Sequence, residues 1–337
     1  MAHRKVQIAL LGVTNHGVTI QNAIRDSQTL ELISLHDIKR EEGLKRAAEL
    51  KVDFAESYEA MLADPRIEAV ALVTPNHLHA AQVAAALDAG KHVFVEKPIT
   101  RTVAEARRII EHAGKVRRVL MVGHNTRRRP AFRKAKAIID EKRLGIIAGV
   151  EMNMSRPAGV MAGLPEWKTD SRTTMLVPMT QLGIHFVETL SYLLGPIARV
   201  GCLAHHAAMQ GSAWDTAFSI LQLESGVPAS LSSSYVTPDT YMFRIYGTKG
   251  ILHCHASGFK LELLEEGRLR TEAAEEFPHE GFASYGEQMN EFGECVLSGR
   301  KPETGGEEGL HALAVIEAMV ESAATRRIIE LKEVLNP

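Results

Sequence analysis

The stretch Val6-Gln7-Ile8-Ala9-Leu10-Leu11-Gly12-Val13-Thr14-Asn15-His16-Gly17 determines the fold expected for this chain. A mostly apolar run stops at one glycine, and a second glycine comes shortly before a helical pattern. Such a turn points backbone N–H groups and a helix N-terminus at an anion, as a dinucleotide pyrophosphate requires. The turn matches the GxGxxG pattern at its first and third glycines, while Thr14 replaces the middle one. The candidate cofactor-binding residues are therefore Gly12, Val13, Thr14, Asn15, His16 and Gly17.

Short β-rich runs alternate with helical patterns up to about residue 122. The predicted strands are Val6–Leu11, Leu30–His36, Ala69–Val73, Lys91–Val95 and Arg118–Val122. Between them, apolar residues recur at spacings of three and four, which indicates helices. This alternation predicts an α/β domain with a doubly wound parallel sheet, in which ligands bind beyond the carboxyl ends of the strands. We place this domain at residues 1–123.

After Gly123 the pattern changes. A basic helix is predicted at Pro130–Lys142 and a helix that carries His185 at Pro178–Leu194, and two further helices close the chain. The strand-like runs now follow one another without helices between them, which favours antiparallel pairing. They are Ile146–Met154, Ala198–His205, Ala217–Leu223, Ala229–Tyr235, Met242–Tyr246, Ile251–His255 and Lys260–Leu264. Residues 124–337 are therefore predicted to form an α+β domain with a large, open, mostly antiparallel sheet.

Polar side chains follow the strands of the first domain. Asp37 comes directly after the second strand, where a carboxylate accepts hydrogen bonds from ribose hydroxyls and repels a 2′-phosphate. We therefore predict NAD as the cofactor, although the neighbouring Lys39 and Arg40 leave NADP possible. The turns after the next two strands supply the other cofactor candidates, Thr74, Pro75, Asn76, His79, Glu96 and Lys97.

The run Val93-Phe94-Val95-Glu96-Lys97-Pro98 places a lysine beside a carboxylate at the mouth of a buried strand. A proline after the lysine holds it in a turn. Cis peptide bonds occur almost only before proline, and we predict a cis bond between Lys97 and Pro98. An ammonium group in this place could stabilise negative charge on a reacting oxygen.

Bulk composition excludes several classes of protein. The net charge of -2 creates no field that would attract nucleic acid or an anionic membrane. Three widely spaced cysteines without a CxxC pair predict neither a disulfide framework nor a zinc site, and together with the lack of a long apolar run they favour a cytoplasmic protein. His253 and His255 share a strand face, but no third ligand accompanies them, and no metal is predicted. The basic run Arg127-Arg128-Arg129 is either a solvated face or part of a site for an anionic or hydroxyl-rich ligand.

In the order and spacing of these motifs, the chain resembles the glucose–fructose oxidoreductase, inositol dehydrogenase and rhizopine catabolism family. The motifs are the glycine turn, Asp37, Thr74-Pro75-Asn76-His77, Glu96-Lys97-Pro98, Gly183-Ile184-His185 and Gly247-Thr248-Lys249-Gly250. The resemblance implies a Rossmann domain, a sheet domain that forms a homodimer or homotetramer, and hydride transfer between NAD(P) and a hydroxyl carbon of a sugar, cyclitol or related polyol. It implies Lys97 as the catalytic lysine and His185 as the general base or acid. The candidate substrate-binding residues are His124, Asn125, Arg127, Trp167, Arg172, Gln181 and His185.

The chain departs from the family pattern in two places. Met175-Leu176-Val177 replaces three glycines eight residues after Trp167, and we expect these larger side chains to narrow or reshape the substrate pocket. Gln181 replaces the aspartate four residues before His185, where an amide can orient the imidazole or the substrate but cannot take a proton. Two functions follow: a working dehydrogenase of unusual specificity with Gln181 in its catalytic set, or a cofactor-binding sensor with little or no turnover.

Overall fold

The computed structural model describes residues 4–161, 163–278 and 280–336. It divides into two compact units. The first holds the described residues up to Asn125 together with Phe282–Leu310, and the second holds Thr126–Gly281 and the described residues from His311 onward. The predicted single boundary at residues 123 and 124 is therefore wrong for one segment, because Phe282–Leu310 returns to the first unit. One reason is hydrogen bonding between the two segments. The backbone N–H of Val122 donates to the Thr304 carbonyl, and the Thr304 hydroxyl donates to the Val122 carbonyl.

The first unit contains the predicted doubly wound parallel sheet. Its strands are β1 (Val6–Leu11), β2 (Leu30–His36), β3 (Asp53–Phe54), β4 (Ala69–Leu72), β5 (His92–Val95) and β6 (Leu120–Val122), in the order β3-β2-β1-β4-β5-β6. The helices are α1 (His16–Arg25), α2 (Arg40–Leu50), α3 (Tyr58–Ala63), α4 (Asn76–Asp88) and α5 (Val103–Val116). The strand order reverses between β1 and β4, and such a switch point is where open α/β sheets bind ligands.

The second unit contains a nine-stranded sheet, β14-β13-β12-β11-β7-β10-β9-β8-β15. The strands are β7 (Ile147–Ser155), β8 (Ile197–His205), β9 (Thr216–Leu223), β10 (Pro228–Ser234), β11 (Thr240–Gly247), β12 (Gly250–His255), β13 (Gly258–Glu265), β14 (Arg268–Glu276) and β15 (Ile329–Glu330). Neighbours pair antiparallel except β7 and β10, which are parallel. The prediction of a mostly antiparallel sheet is confirmed.

One face of this sheet is covered and the other is open. On β9, Ala217 and Leu221 are buried, whereas Phe218 and Ile220 are exposed. This alternation follows from the two-residue period of a strand, which sends successive side chains to opposite faces.

The helices of the second unit differ from the prediction at one point. They are α6 (Pro130–Asp140), α7 (Glu166–Thr169) and α8 (Ile184–Leu194), and Met179–Gly183 forms a π-helical segment directly before α8. The predicted helix Pro178–Leu194 is therefore not one regular α-helix. The hydroxyl of Ser233 donates a hydrogen bond to the Pro178 carbonyl, at 3.2 Å, so β10 binds the chain where this segment starts. π-Helical turns are rare and often accompany functional sites.

Three further helices complete the chain: α9 (Glu280–Ser298), α10 (Gly306–Thr325) and α11 (Leu331–Leu335). In the part of the chain that the structure describes, no helix combines the length and the apolar character needed to cross a membrane.

Candidate functional site

The turn between β1 and α1 has room only for glycine at two positions. A Cβ atom on Gly12 would lie 2.4 Å from the Val73 carbonyl oxygen, and the φ angle of Gly12 is +89°. A Cβ atom on Gly17 would lie 2.1 Å from the carbonyl oxygen of Gly12. The side chain of Asn15, the N-cap residue of α1, forms no capping hydrogen bond, and the first turn of α1 holds no acidic residue. The positive end of the helix dipole and the exposed start of the helix therefore fit an anionic group such as a pyrophosphate.

Asp37 is buried at the end of β2, and both of its carboxylate oxygens accept backbone hydrogen bonds. Val13 donates its N–H to Oδ2 at 2.8 Å, and Lys39 donates its N–H to Oδ1 at 2.9 Å. These bonds hold the carboxylate against the turn after β1. Ile38, the next residue, is 94% exposed and offers an apolar surface there. The sequence prediction overlooked Ile38, although an apolar residue directly after the acidic one was visible.

The two cations that follow Asp37 form ion pairs with carboxylates. Lys39 forms an ion pair with Glu42 at 3.4 Å, and Arg40 forms one with Glu56 at 2.9 Å. Either cation would have to leave its partner to neutralise a 2′-phosphate.

Glu96 is a buried carboxylate at the end of β5. One oxygen lies 3.1 Å from Nε2 of His16, and the other accepts the N–H of Lys97 at 3.1 Å. Burial alone would raise the pKa of Glu96, but the positive charges of His16 and Lys97 outweigh it, so that the pKa falls below its ordinary value. A Cβ atom on Gly123 would lie 2.8 Å from the Glu96 carboxyl carbon, so glycine leaves the space that this carboxylate fills. Glu96 is thereby fixed as an anion beside Lys97.

The turn that presents Lys97 contains the predicted cis Lys97–Pro98 bond, which is confirmed. His79 is buried behind it, with Nδ1 2.8 Å from the Pro98 carbonyl oxygen and Nε2 2.9 Å from the Thr74 carbonyl oxygen. Burial lowers the pKa of His79 against the opposing effect of these two carbonyls. His79, a predicted cofactor contact, thus links the Thr74 turn to the Lys97 turn through its ring.

Asn76 is the first residue of α4 and is also buried. Its Oδ1 accepts no hydrogen bond from any residue that the structure describes. A buried acceptor without a donor costs free energy unless a ligand or water supplies one. This atom therefore fits a polar N–H or O–H group of a bound cofactor.

The candidate substrate residues before α6 are buried. His124 and Asn125 lie in the first unit, where Asn125 donates its amide N–H to the Ser284 hydroxyl at 2.8 Å. Arg127 lies in the second unit, where it forms a buried ion pair with Glu188 and its guanidinium carbon lies 4.7 Å from the ring centroid of Tyr192. Arg127 and Arg128 are both buried, so the interpretation of this basic run as a solvated face is wrong for them.

Trp167 and Arg172 lie in the loop that contains α7. Trp167 is half-buried, and its carbonyl accepts hydrogen bonds from Thr173 and Thr174. The side chain of Arg172 is 85% exposed and pairs with Asp170 at 2.6 Å. Arg172 therefore stands on the surface with a carboxylate partner.

Met175, Leu176 and Val177, which stand in place of the family glycines, differ in burial. Leu176 and Val177 are fully buried, and only Met175 is partly exposed, at 42%. Val177 packs in a small core with Met209, Ala213 and Tyr235. The expectation that these larger side chains narrow or reshape the substrate pocket stays a prediction. Gln181 lies in the π-helical segment and His185 is the second residue of α8, and both are half-buried.

Two family models match the chain. One is described as an oxidoreductase family with an NAD-binding Rossmann fold and matches residues 6–124, and the other is the GFO/IDH/MocA C-terminal domain and matches residues 132–253. Together they cover more than half of the chain. The resemblance inferred from the motifs is confirmed, and the first unit is an NAD-binding Rossmann domain.

Individual proteins agree with the family models. The chain is 30% identical over 286 residues to D-xylose 1-dehydrogenase (NADP(+)) 2 of Haloferax volcanii, which covers 82% of this chain and 84% of that protein. It is 25% identical to myo-inositol 2-dehydrogenase of Thermotoga maritima, over 98% of this chain and 100% of that protein. The solved structure of levoglucosan dehydrogenase with NADH and levoglucosan has a TM-score of 0.88 at 20% identity, covers 97% of this chain and 100% of its own, and is similar in fold.

Proposed function

This chain belongs to the GFO/IDH/MocA oxidoreductase family, and we propose that it transfers hydride between NAD and a hydroxyl carbon of a sugar, cyclitol or related polyol. The observation that carries the proposal is the pair of turns at the carboxyl ends of β1 and β5 in the first sheet. One turn has room only for glycine and fits a pyrophosphate, and the other holds Lys97 beside the buried anion Glu96. Bound NAD supplies the hydride acceptor or donor.

The cofactor contacts are proposed from this geometry. The start of α1 would bind the pyrophosphate, and Asp37 would accept hydrogen bonds from the adenosine ribose. Asn76 would accept one from the cofactor through its buried Oδ1. His79 would act as a positioning residue, because its ring bonds the two turns that carry Thr74 and Lys97.

Two side chains are proposed to move or hold charge at the substrate. When the substrate is oxidised, its hydroxyl proton passes to His185, since an imidazole titrates near neutral pH. The ammonium group of Lys97 stabilises the negative charge that develops on the oxygen as the proton leaves. Gln181 orients His185 or the substrate by hydrogen bonds and takes no proton.

The direct test is a panel of polyols, sugars and sugar acids offered with NAD while absorbance of the reduced nicotinamide is recorded. We expect at least one member to reduce NAD. Ligands that bind in the presence of NADH without any turnover in either direction would instead support the sensor function, which the replacement of the family aspartate by Gln181 keeps open.

We predict that NAD binds more tightly than NADP and that Asp37→Asn narrows the difference. The amide keeps one acceptor oxygen for the backbone N–H groups but removes the charge that repels a 2′-phosphate. A charge–phosphate repulsion of this kind is worth roughly tenfold in affinity. Titration of both cofactors against the wild type and Asp37→Asn measures the ratio of the affinities for NAD and NADP.

Asp53→Asn serves as the control, because Asp53 is an exposed carboxylate that pairs with Arg66. It should leave the ratio of the two affinities unchanged. A wild-type protein that already prefers NADP would show that Asp37 does not select the ribose.

We also propose that the chain forms a homodimer or homotetramer through the open face of the nine-stranded sheet. Leu203 and Phe218 pair across β8 and β9, and Ile220 stands over Gly201 beside Ile328. These four large apolar side chains are each at least 60% exposed. A contiguous apolar patch of this kind marks an interaction surface, and a second copy covers it with the same residues.

Phe218→Glu is expected to shift the protein towards monomers, because a two-fold interface would bury two unpaired carboxylates. Light scattering behind size-exclusion chromatography measures the mass. Ile146→Glu is the matched control, since Ile146 is 76% exposed and lies outside this patch. A wild type that is monomeric at every concentration would exclude the interface. The proposed location is the cytoplasm, in keeping with three widely spaced cysteines and no CxxC pair in the sequence.

A further inference from the structure

Two cations at one end of the nine-stranded sheet have no carboxylate partner among the residues that the structure describes. Arg156 follows β7 and is exposed, and Lys168 lies in α7, half-buried. The Lys168 ammonium stands 5.3 Å from the ring centroid of Trp167. In the described ranges, neither side chain forms an ion pair with an acidic residue, whereas Arg172 in the same loop pairs with Asp170.

The positive charge of Arg156 acts on Lys168 and on a neighbouring tyrosine. Burial lowers the pKa of Lys168, and the positive charge of Arg156 lowers it further. Arg156 also acts on the buried Tyr235: burial raises the pKa of this phenol, and the guanidinium opposes the rise. Like charges that are held together without a counter-charge repel one another, and an anion between them removes that cost.

The backbone places this pair next to the segment that carries Gln181 and His185. Arg156 donates its N–H to the Ser234 carbonyl at 2.9 Å, and the preceding Ser233 donates its hydroxyl to Pro178. Tyr235 packs in the small core of Val177, against which Leu182 also packs. Leu182 is the neighbour of Gln181, so the cations stand at the end of the sheet from which the π-helical segment starts.

A cavity of about 530 Å³ lies between the loops that follow β7 and β8. Its described lining includes Gly159, Met161, Leu164, Thr169, Met209 and Gln210. Gly159, Met161, Leu164 and Thr169 belong to the loop after β7, which also carries Arg156 and Lys168, and Met209 and Gln210 belong to the loop after β8. The volume lies in the range of small-molecule sites.

We propose that Arg156 and Lys168 form an anion subsite that binds the carboxylate of the substrate, so that the substrate class is sugar acids and not neutral sugars or polyols. The inference rests on the proposed function and narrows its substrate class. A guanidinium can bind a carboxylate with two parallel hydrogen bonds, and the ammonium adds a third charge-assisted bond. The Trp167 ring lies under the Lys168 ammonium in a cation–π contact and does not neutralise its charge.

The test compares an aldonate with the polyol of the same carbon skeleton, in the wild type, Arg156→Gln and Lys168→Met. Binding is measured by calorimetry in the presence of NADH, and KM and kcat by NAD reduction. Each variant should weaken aldonate binding and raise its KM by about 10- to 100-fold, the loss expected for a charge-assisted hydrogen bond. The weak binding of the polyol and the affinity for NADH should stay unchanged.

Arg199→Gln is the control, because Arg199 lies on β8 in an ion pair with Glu330. Equal weakening of aldonate and polyol in the two variants would overturn the subsite, as would a wild type that prefers the polyol or a sugar phosphate. Aldonate binding that depends on Arg156 and Lys168 without any NAD reduction would support the subsite and refute the dehydrogenase. Oxidation of polyols without aldonate binding would refute the subsite and support the dehydrogenase.

Discussion

His185→Ala and Lys97→Ala are each expected to lower kcat by about 10²- to 10⁴-fold while the affinity for NAD changes little. The first removes the group that accepts the hydroxyl proton, and the second removes the charge that stabilises the developing oxyanion. Gln181→Ala should cost less than either, because no proton passes through an amide. Steady-state kinetics with any substrate found by the panel, together with NAD titration, measures all three.

Two exposed residues provide matched controls for these variants. His205 lies at the end of β8, and Lys45 lies on α2. Alanine at either position should leave kcat unchanged. A loss at Gln181 as large as that at His185 would mean that the amide has a role beyond orientation. Turnover that survives His185→Ala with less than a tenfold loss would assign the proton to another group.

Gly17→Ala is expected to have the second large effect, on cofactor binding. The new methyl group would lie 2.1 Å from the Gly12 carbonyl oxygen, so the turn and the start of α1 must separate. Overpacking of this kind costs about 1–3 kcal/mol, which corresponds to roughly 5- to 150-fold in the affinity for NAD if the turn yields where the pyrophosphate binds. Calorimetric titration with NAD measures the loss of affinity, and thermal unfolding of the apoprotein measures the loss of stability.

Gly114→Ala is the control for Gly17→Ala. Gly114 lies in α5, and apart from its chain neighbours and the backbone of its own helix, no atom of the described residues lies within 4 Å of a Cβ built there. This substitution should leave NAD binding unchanged and raise the free energy of unfolding by about 0.4–1 kcal/mol, because alanine restricts the unfolded chain. Unaltered NAD affinity in Gly17→Ala would mean that the turn after β1 does not hold the cofactor.

Much of the fold was predictable because the strands of the first unit are apolar runs with clear ends. The bounds of β1 and β2 agree with the prediction, since one run stops at Gly12 and the other at Asp37. The strands β3 and β15 have two residues each and β14 is almost entirely exposed, so none of the three has the period or the apolar content that identifies a strand. These three were missed for that reason.

The sequence by itself determined the order of the longer apolar strands and of most helices, the cis bond before Pro98 and the residue types at the ends of the strands. These features depend on local periodicity and on glycine, proline and acidic residues at turns. Only the tertiary structure decided which side chains are buried and which form ion pairs. It paired Lys39 and Arg40 with carboxylates and buried Leu176 and Val177, while Arg156 forms no ion pair with an acidic residue in the described part of the chain. The reason is physical: burial and ion pairing depend on segments far apart in the chain, and residue spacing along one segment does not report them.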